Sequence, residues 1–97
     1  MLILQTVAAG GEMHGFGIAE AILETSGDVL QVEEGSLYPA LQRLLVKGWL
    51  AGEWGKTADS RRARYYKLTS AGRTQLSREV EEYLHVNRAI VRIIQPA

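Results

Sequence analysis

The sequence contains no cysteine, which removes disulfides, thiolate nucleophiles and the common zinc ligand sets together. Its two histidines, His14 and His85, are too few to hold a metal unaided, so neither metal nor cofactor is expected. Long apolar runs are also missing: nothing approaches the roughly 20 residues of a membrane span, and no charged segment precedes the apolar start as in a signal peptide. A soluble, cytoplasmic protein without a membrane partner is expected. No nucleophile, base and orienting group fall together, and no glycine-rich phosphate cradle is present, so no enzyme is expected either.

Net charge is the last thing lacking, because 11 Lys and Arg balance 11 Asp and Glu. The balance conceals a sorting along the chain. Between residues 43 and 73 lie Arg43, Lys47, Lys56, Arg61, Arg62, Arg64, Lys67 and Arg73 against only Glu53 and Asp59. A phosphate responds to charge within a Debye length of about 10 Å, so a basic middle matters more than a neutral total. Ninety-seven residues with 46% hydrophobic and 23% charged side chains make one ordinary globular domain with a single core.

The stretch 32–50, VEEGSLYPALQRLLVKGWL, organises what is present. On a 3.6-residue period Leu37, Leu41, Leu44 and Leu45 share one face, while Gly35, Ser36, Pro39, Gln42, Arg43 and Val46 point away. Pro39 is tolerated in a first turn, which puts the helix start near Glu34 to Ser36 with either as cap. Lys47 suits the last turn and Gly48 supplies the left-handed stop. The outward face is small and polar, with one Arg and no carboxylate to repel a phosphate backbone.

Ahead of it, Leu2, Ile3 and Val7, with Leu4 a weaker candidate, predict a short buried helix ended by Gly10 and Gly11. It starts without a cap, so Met1 is either an internal start or preceded by residues that complete the helix. In MHGFGIAEAILETSG the residues Phe16, Ala19, Ile22 and Leu23 are expected to face inward, with Glu20 and Glu24 outward and Gly27 as the stop. His14, at the entry, reads as a cap or packing residue in preference to a ligand or proton carrier. Residues 28–32 predict an extended connector or short strand. Two helices so joined have the form of a helix-turn-helix.

After the helix, Leu50, Gly52 and Trp54 alternate in one phase and Arg64, Tyr66 and Leu68 in another, around the polar loop GKTADSR. This predicts a β-hairpin, and a helix-turn-helix followed by such a hairpin is a winged helix whose wing reaches the backbone or minor groove. Lys56, Arg61, Arg62 and Arg64 read either as phosphate or groove contacts or as hairpin solubility; jointly they favour DNA. Trp49, Trp54, Tyr65 and Tyr66 are expected to hold the hairpin on the helices.

Thr69 caps a last helix that Pro96 ends. Leu76, Val80, Tyr83, Asn87, Ile90 and Ile94 recur at four, three, four, three, four, with Leu84 and Val91 widening the seam. A helix of roughly 36 Å outruns so small a body, so its far half is expected to bury this seam on a second copy. Asn87 either sets the register from within the seam or sits at its wet edge.

The residues Gly15-Phe16-Gly17-Ile18, then Gly35-Ser36-Leu37-Tyr38-Pro39-Ala40-Leu41 with Leu44 and Gly48, then Arg64-Tyr65-Tyr66 with Leu68-Thr69 and Gly72, resemble the PadR family of bacterial transcriptional regulators across nearly the whole chain. The resemblance implies a homodimeric winged helix that represses promoters and releases DNA when a small-molecule effector binds. It assigns Ser36, Tyr38, Pro39, Gln42 and Arg43 to the recognition helix and Lys56, Arg61 and Arg62 to the wing; Tyr38 either meets a phosphate through its hydroxyl or packs. Family members usually carry residues ahead of Leu2 that lengthen the first helix, and those that sense aromatic compounds need stacking groups, of which the terminal helix offers only Tyr83.

The expected architecture is mainly α with a small β-hairpin wing, residues 1–68 forming a winged helix-turn-helix DNA-binding domain and 69–97 a dimerisation helix. The expected function is sequence-specific binding of double-stranded DNA at an inverted-repeat operator, with Gln42 and Arg43 reading bases, and Lys47 and Arg64 completing the basic set. The alternative is a winged-helix module that docks proteins without DNA, for which zero net charge speaks.

Overall fold

The computed structural model describes residues 1–95 apart from Thr57 and Ser60. In chain order the elements are α1 (Leu2–Gly10), β1 (Met13–His14), α2 (Gly15–Thr25), α3 (Glu34–Val46), β2 (Leu50–Lys56), β3 (Arg62–Leu68) and α4 (Ser70–Ile94). Four helices and a small antiparallel sheet of order β1-β3-β2 form a winged helix-turn-helix with a long C-terminal helix. The expected stop of the last helix at Pro96 lies outside the described residues.

The periodicity of α3 settles its packing. Leu37 and Leu41 are buried in the core, Leu44 and Leu45 pack against it from the rim, and the opposite flank is exposed. The stop is as the residues dictate: Gly48 adopts φ +76, its N–H donates to the Leu45 carbonyl, and the Trp49 N–H reaches back to the Leu44 carbonyl. The start differs. The cap is Glu33, whose side chain makes no capping bond, and the Ser36 and Leu37 amides both donate to the Glu33 carbonyl. Pro39 consequently falls past the first turn, where it withholds an amide from the Gly35 carbonyl; both residues are exposed, so water can serve that carbonyl.

In α2 the buried positions are Gly15, Ile18 and Ile22, spaced three and four, whereas Phe16 is 54% exposed. The expectation that Phe16 faced inward was thus one position out of phase, because Gly15 holds the place in the stripe that an apolar side chain would otherwise mark. A Cβ at Gly15 would stand 3.1 Å from Tyr38 and 3.5 Å from Leu41, so its absence sets how closely α3 crosses α2. His14 is a cap: its Nδ1 accepts the Gly17 N–H at 3.0 Å.

In α1 the fully buried residues are Leu4 and Val7, while Leu2, expected inside, is 46% exposed. The connector 28–33 forms no strand; Gly27 and Asp28 both take φ +65 and turn the chain. The third strand is instead β1, which pairs Met13 with Tyr66 and His14 with Tyr65.

The hairpin register matches the two alternating phases: Leu50 faces Leu68, Gly52 faces Tyr66 and Trp54 faces Arg64. At its base this face is apolar, and Leu50 and Tyr66 join the core. Thr69 caps α4 through the Gly72 N–H at 3.0 Å. Gly72 is buried where a Cβ would overlap the Trp49 carbonyl, and Leu76 closes the core from below. Beyond Val80 the helix leaves the body, which stretches the molecule to 56 × 29 × 22 Å.

Candidate nucleic-acid interface

The exposed flank of α3 carries Ser36, Tyr38, Pro39, Gln42, Arg43 and Val46, with Lys47 at its C-cap. Past Glu34 this helix has no carboxylate, and its last turn adds Arg43. Tyr38, 48% exposed, lies against Gly15 at the start of α2, so it is both a packing residue and part of the open surface.

Strand alternation sorts the wing into two faces. Trp54, Lys56, Arg62 and Arg64 continue the face whose base enters the core, while Glu53, Tyr65 and Lys67 occupy the other. Tyr65 packs edge-on against His14, with ring centres 5.8 Å apart, and its hydroxyl donates to the Lys56 carbonyl at 3.2 Å. Tyr66 is buried, and Trp49 lies against the core with Lys47 Nζ 4.7 Å from its ring centre. These three aromatics tie the hairpin to the helices as expected. Trp54 does not: it is 57% exposed, and the Arg62 guanidinium stands 4.5 Å above its ring. Among the described residues the indole is not one of those packed against the core cluster, and it lines the open cleft between wing and helices.

The wing cations are held in different ways. Arg64 lies 6.0 Å from the Trp54 ring centre and is partly buried; its Nε is shielded from solvent without a hydrogen-bond partner. Arg61 is highly exposed and pairs with Asp59 at 3.5 Å. Lys56 and Arg62 are exposed.

A cleft of about 800 Å³ joins wing to helices, lined by His14 and Phe16 at the start of α2, Tyr38 of α3, and Trp54, Arg62 and Arg64 of the wing. Tyr66 forms part of its wall. Burial pushes the Tyr66 hydroxyl above the ordinary tyrosine value; the Arg64 charge pulls it back, and Tyr38 adds a smaller upward push. The cleft therefore combines cations with aromatic faces and carries one carboxylate, Asp59, already engaged by Arg61.

The seam on α4 divides at Val80. Leu76 is buried within the chain and Val80 packs on the core, whereas Tyr83, Leu84, Ile90, Val91 and Ile94 are 38–67% exposed and Asn87 is half-buried among them. Val86 and Ile93 enlarge the exposed apolar surface. Among the described residues no cluster of three or more His, Asp or Glu could hold a metal, and no helix is long and apolar enough to cross a membrane.

Residues 3–78 match the profile of the transcriptional regulator PadR-like family. The chain is 38% identical over 72 residues to the transcriptional regulator Rv3488 of Mycobacterium tuberculosis, covering 74% of this chain and 64% of that protein, just under two thirds of its length. Its fold is similar to that of a transcriptional regulator from Clostridium thermocellum, with a TM-score of 0.86 at 23% identity over 97% of this chain and 90% of the other. It is also similar to PadR of Bacillus subtilis, solved in complex with operator DNA, with a TM-score of 0.71 at 23% identity over 81% of this chain and 43% of the other. With most of its length inside the family profile, and a winged helix to match, the chain belongs to the PadR-like family, whose members are transcriptional regulators and not enzymes.

Proposed function

We propose that this regulator is a homodimeric, sequence-specific DNA-binding repressor. In this reading α3 enters the major groove, where Gln42 and Arg43 read base edges, since Gln pairs bidentately with adenine and Arg with guanine. Ser36, Tyr38, Pro39 and Lys47 line the same helix against the backbone, and Lys56, Arg61, Arg62 and Arg64 neutralise phosphates or enter the minor groove beside it. The observation that supports the reading is the cleft that Tyr38 of α3 shares with Arg61, Arg62 and Arg64 of the wing, a surface on which cations and the exposed face of one α3 residue meet. The operator-bound PadR of Bacillus subtilis supports duplex DNA as the partner.

The exposed apolar surface on the far half of α4 supports a second copy of the chain as its cover, with Tyr83, Leu84, Asn87, Ile90, Val91 and Ile94 facing their counterparts and Leu76 and Val80 anchoring the helix at home. On this reading residues 1–68 bind DNA and 69–97 dimerise. Two such units about a two-fold axis read an inverted repeat with half-sites about one helical turn, or a multiple, apart. Release by a small-molecule effector is part of this reading, as the family resemblance implies.

Selection of bound oligonucleotides from a random duplex pool tests the proposal. Enrichment of an inverted repeat at that spacing is the expected result. A pool without enrichment, together with no retardation of any duplex at low salt, favours the protein-docking alternative.

A further inference from the structure

The outer half of the wing leaves an indole 57% exposed and outside the core cluster, and two guanidiniums are ranged over it. Trp54 stands directly across the ladder from Arg64, with Arg62 two residues along the same face. Both cations address its ring, at 4.5 Å and 6.0 Å from the centre. On the other side of Arg64 the sheet is cleared by Gly52, where a Cβ would come within 2.5 Å of the Arg64 Nε. Arg64 is thus bracketed between an aromatic face and a bare stretch of backbone, and it lies flat along the sheet.

Both arginines stand against the ring, and among the described residues neither forms an ion pair with a carboxylate. The acidic side chain in the cleft, Asp59, is engaged with Arg61. An arginine fixed by an ion pair would bring a compensating negative charge to any phosphate it met. One fixed by an aromatic face keeps its full charge and its outward N–H donors.

We infer that Trp54 is a positioning residue of the wing: it holds Arg62 and Arg64 as one ordered cationic ridge, so that the wing distinguishes groove shape as well as neutralising phosphate. The inference rests on the DNA reading and deepens it. A mobile arginine follows a wide or a narrow minor groove equally well, and so contributes affinity without choice. A guanidinium pair held at a set spacing fits the narrow, strongly negative groove of an A-tract better than a wider one, and loses less side-chain freedom on binding.

The test compares the wild-type protein with Trp54→Leu, Trp54→Phe and Gly52→Ala on two duplexes that share the selected half-sites and differ only under the wing, one with an A-tract and one rich in G·C. Trp54→Leu is expected to keep the wild-type melting temperature and the same dependence of affinity on salt, because the cations are unchanged in number. Its preference for the A-tract duplex should fall about three- to tenfold, while Trp54→Phe keeps most of it. Gly52→Ala, which displaces Arg64 and leaves the indole in place, should lose part of the same preference. In the free protein, nitrogen relaxation of the arginine Nε–H groups should show Arg62 and Arg64 ordered, and both released by Trp54→Leu. Retained binding with unchanged preference in Trp54→Leu overturns this inference alone, as does finding both arginines mobile in the wild type. Failure of the wild-type protein to bind any duplex overturns the DNA reading and the inference with it.

Discussion

The Thr69 hydroxyl donates to the Gly48 carbonyl at 2.7 Å while accepting the Gly72 amide at 3.0 Å. One side chain therefore joins the end of α3, the return of the hairpin and the first turn of α4. The Thr69 N–H adds a bond to the Trp49 carbonyl.

Replacing Thr69 by Ala removes an N-cap and a tertiary hydrogen bond together, for a loss of about 2–3 kcal/mol. Ser retains both bonds and should stay within about 0.5 kcal/mol of the parent. Thermal melts of the three proteins check this, and equal losses for Ala and Ser would show that the methyl group and not the hydroxyl matters.

Tyr66 should make stability fall at high pH. Burial raises its hydroxyl above the ordinary value of about 10, so the folded protein binds that proton more tightly than the unfolded chain does. The stabilisation is complete below the ordinary value and is lost as pH rises through the raised one. Denaturant midpoints should therefore decline above about pH 10, and less steeply in Tyr66→Phe. Because the Arg64 charge opposes the rise, Arg64→Gln should move the tyrosinate absorbance transition further up; a downward move contradicts the assignment.

The positions that were legible in the sequence are those where one physical requirement acts alone. Gly48 had to end a helix, Thr69 had to begin one, and Leu37 and Leu41 were bound to face inward by period; all four do so. The hairpin register was legible because its two phases pair residue for residue. Phe16 misled because the stripe on α2 runs through Gly15, which packs by having no side chain and so leaves no apolar mark. The two-residue β1 is too short to alternate, and it exists only because β3 offers an edge to Met13 and His14. Trp54 misled for a geometric reason: whether a strand aromatic finds a helix beneath it depends on how far the hairpin extends, which composition does not encode.

The far half of α4 should determine assembly. Ile90→Asp places a charge in the middle of the exposed seam without touching the core, so sedimentation should give a monomer whose melting temperature no longer depends on concentration. Asn87→Leu should instead tighten association while loosening its stoichiometry, with species larger than a dimer. A wild-type protein that sediments as a monomer at concentrations of tens of micromolar would sink the dimer.

Helix and wing should contribute to binding in ways that separate experimentally. Arg43 projects from the exposed flank of α3 and Lys56 from the wing, and neither forms an ion pair among the described residues. If Arg43 holds a guanine edge, Arg43→Ala should cost about 1–3 kcal/mol on the selected operator and far less on a scrambled duplex, relaxing choice at one base position. Lys56→Ala removes a charge that meets only phosphate, so affinity should drop by a similar factor on every duplex, and the slope of log K against log salt should shrink by about one unit. The two signatures are distinct because base contacts exist on one sequence and phosphates exist on all. Equal losses from both variants on both duplexes, with the same change in slope, would mean that α3 meets only the backbone and that specificity comes from elsewhere.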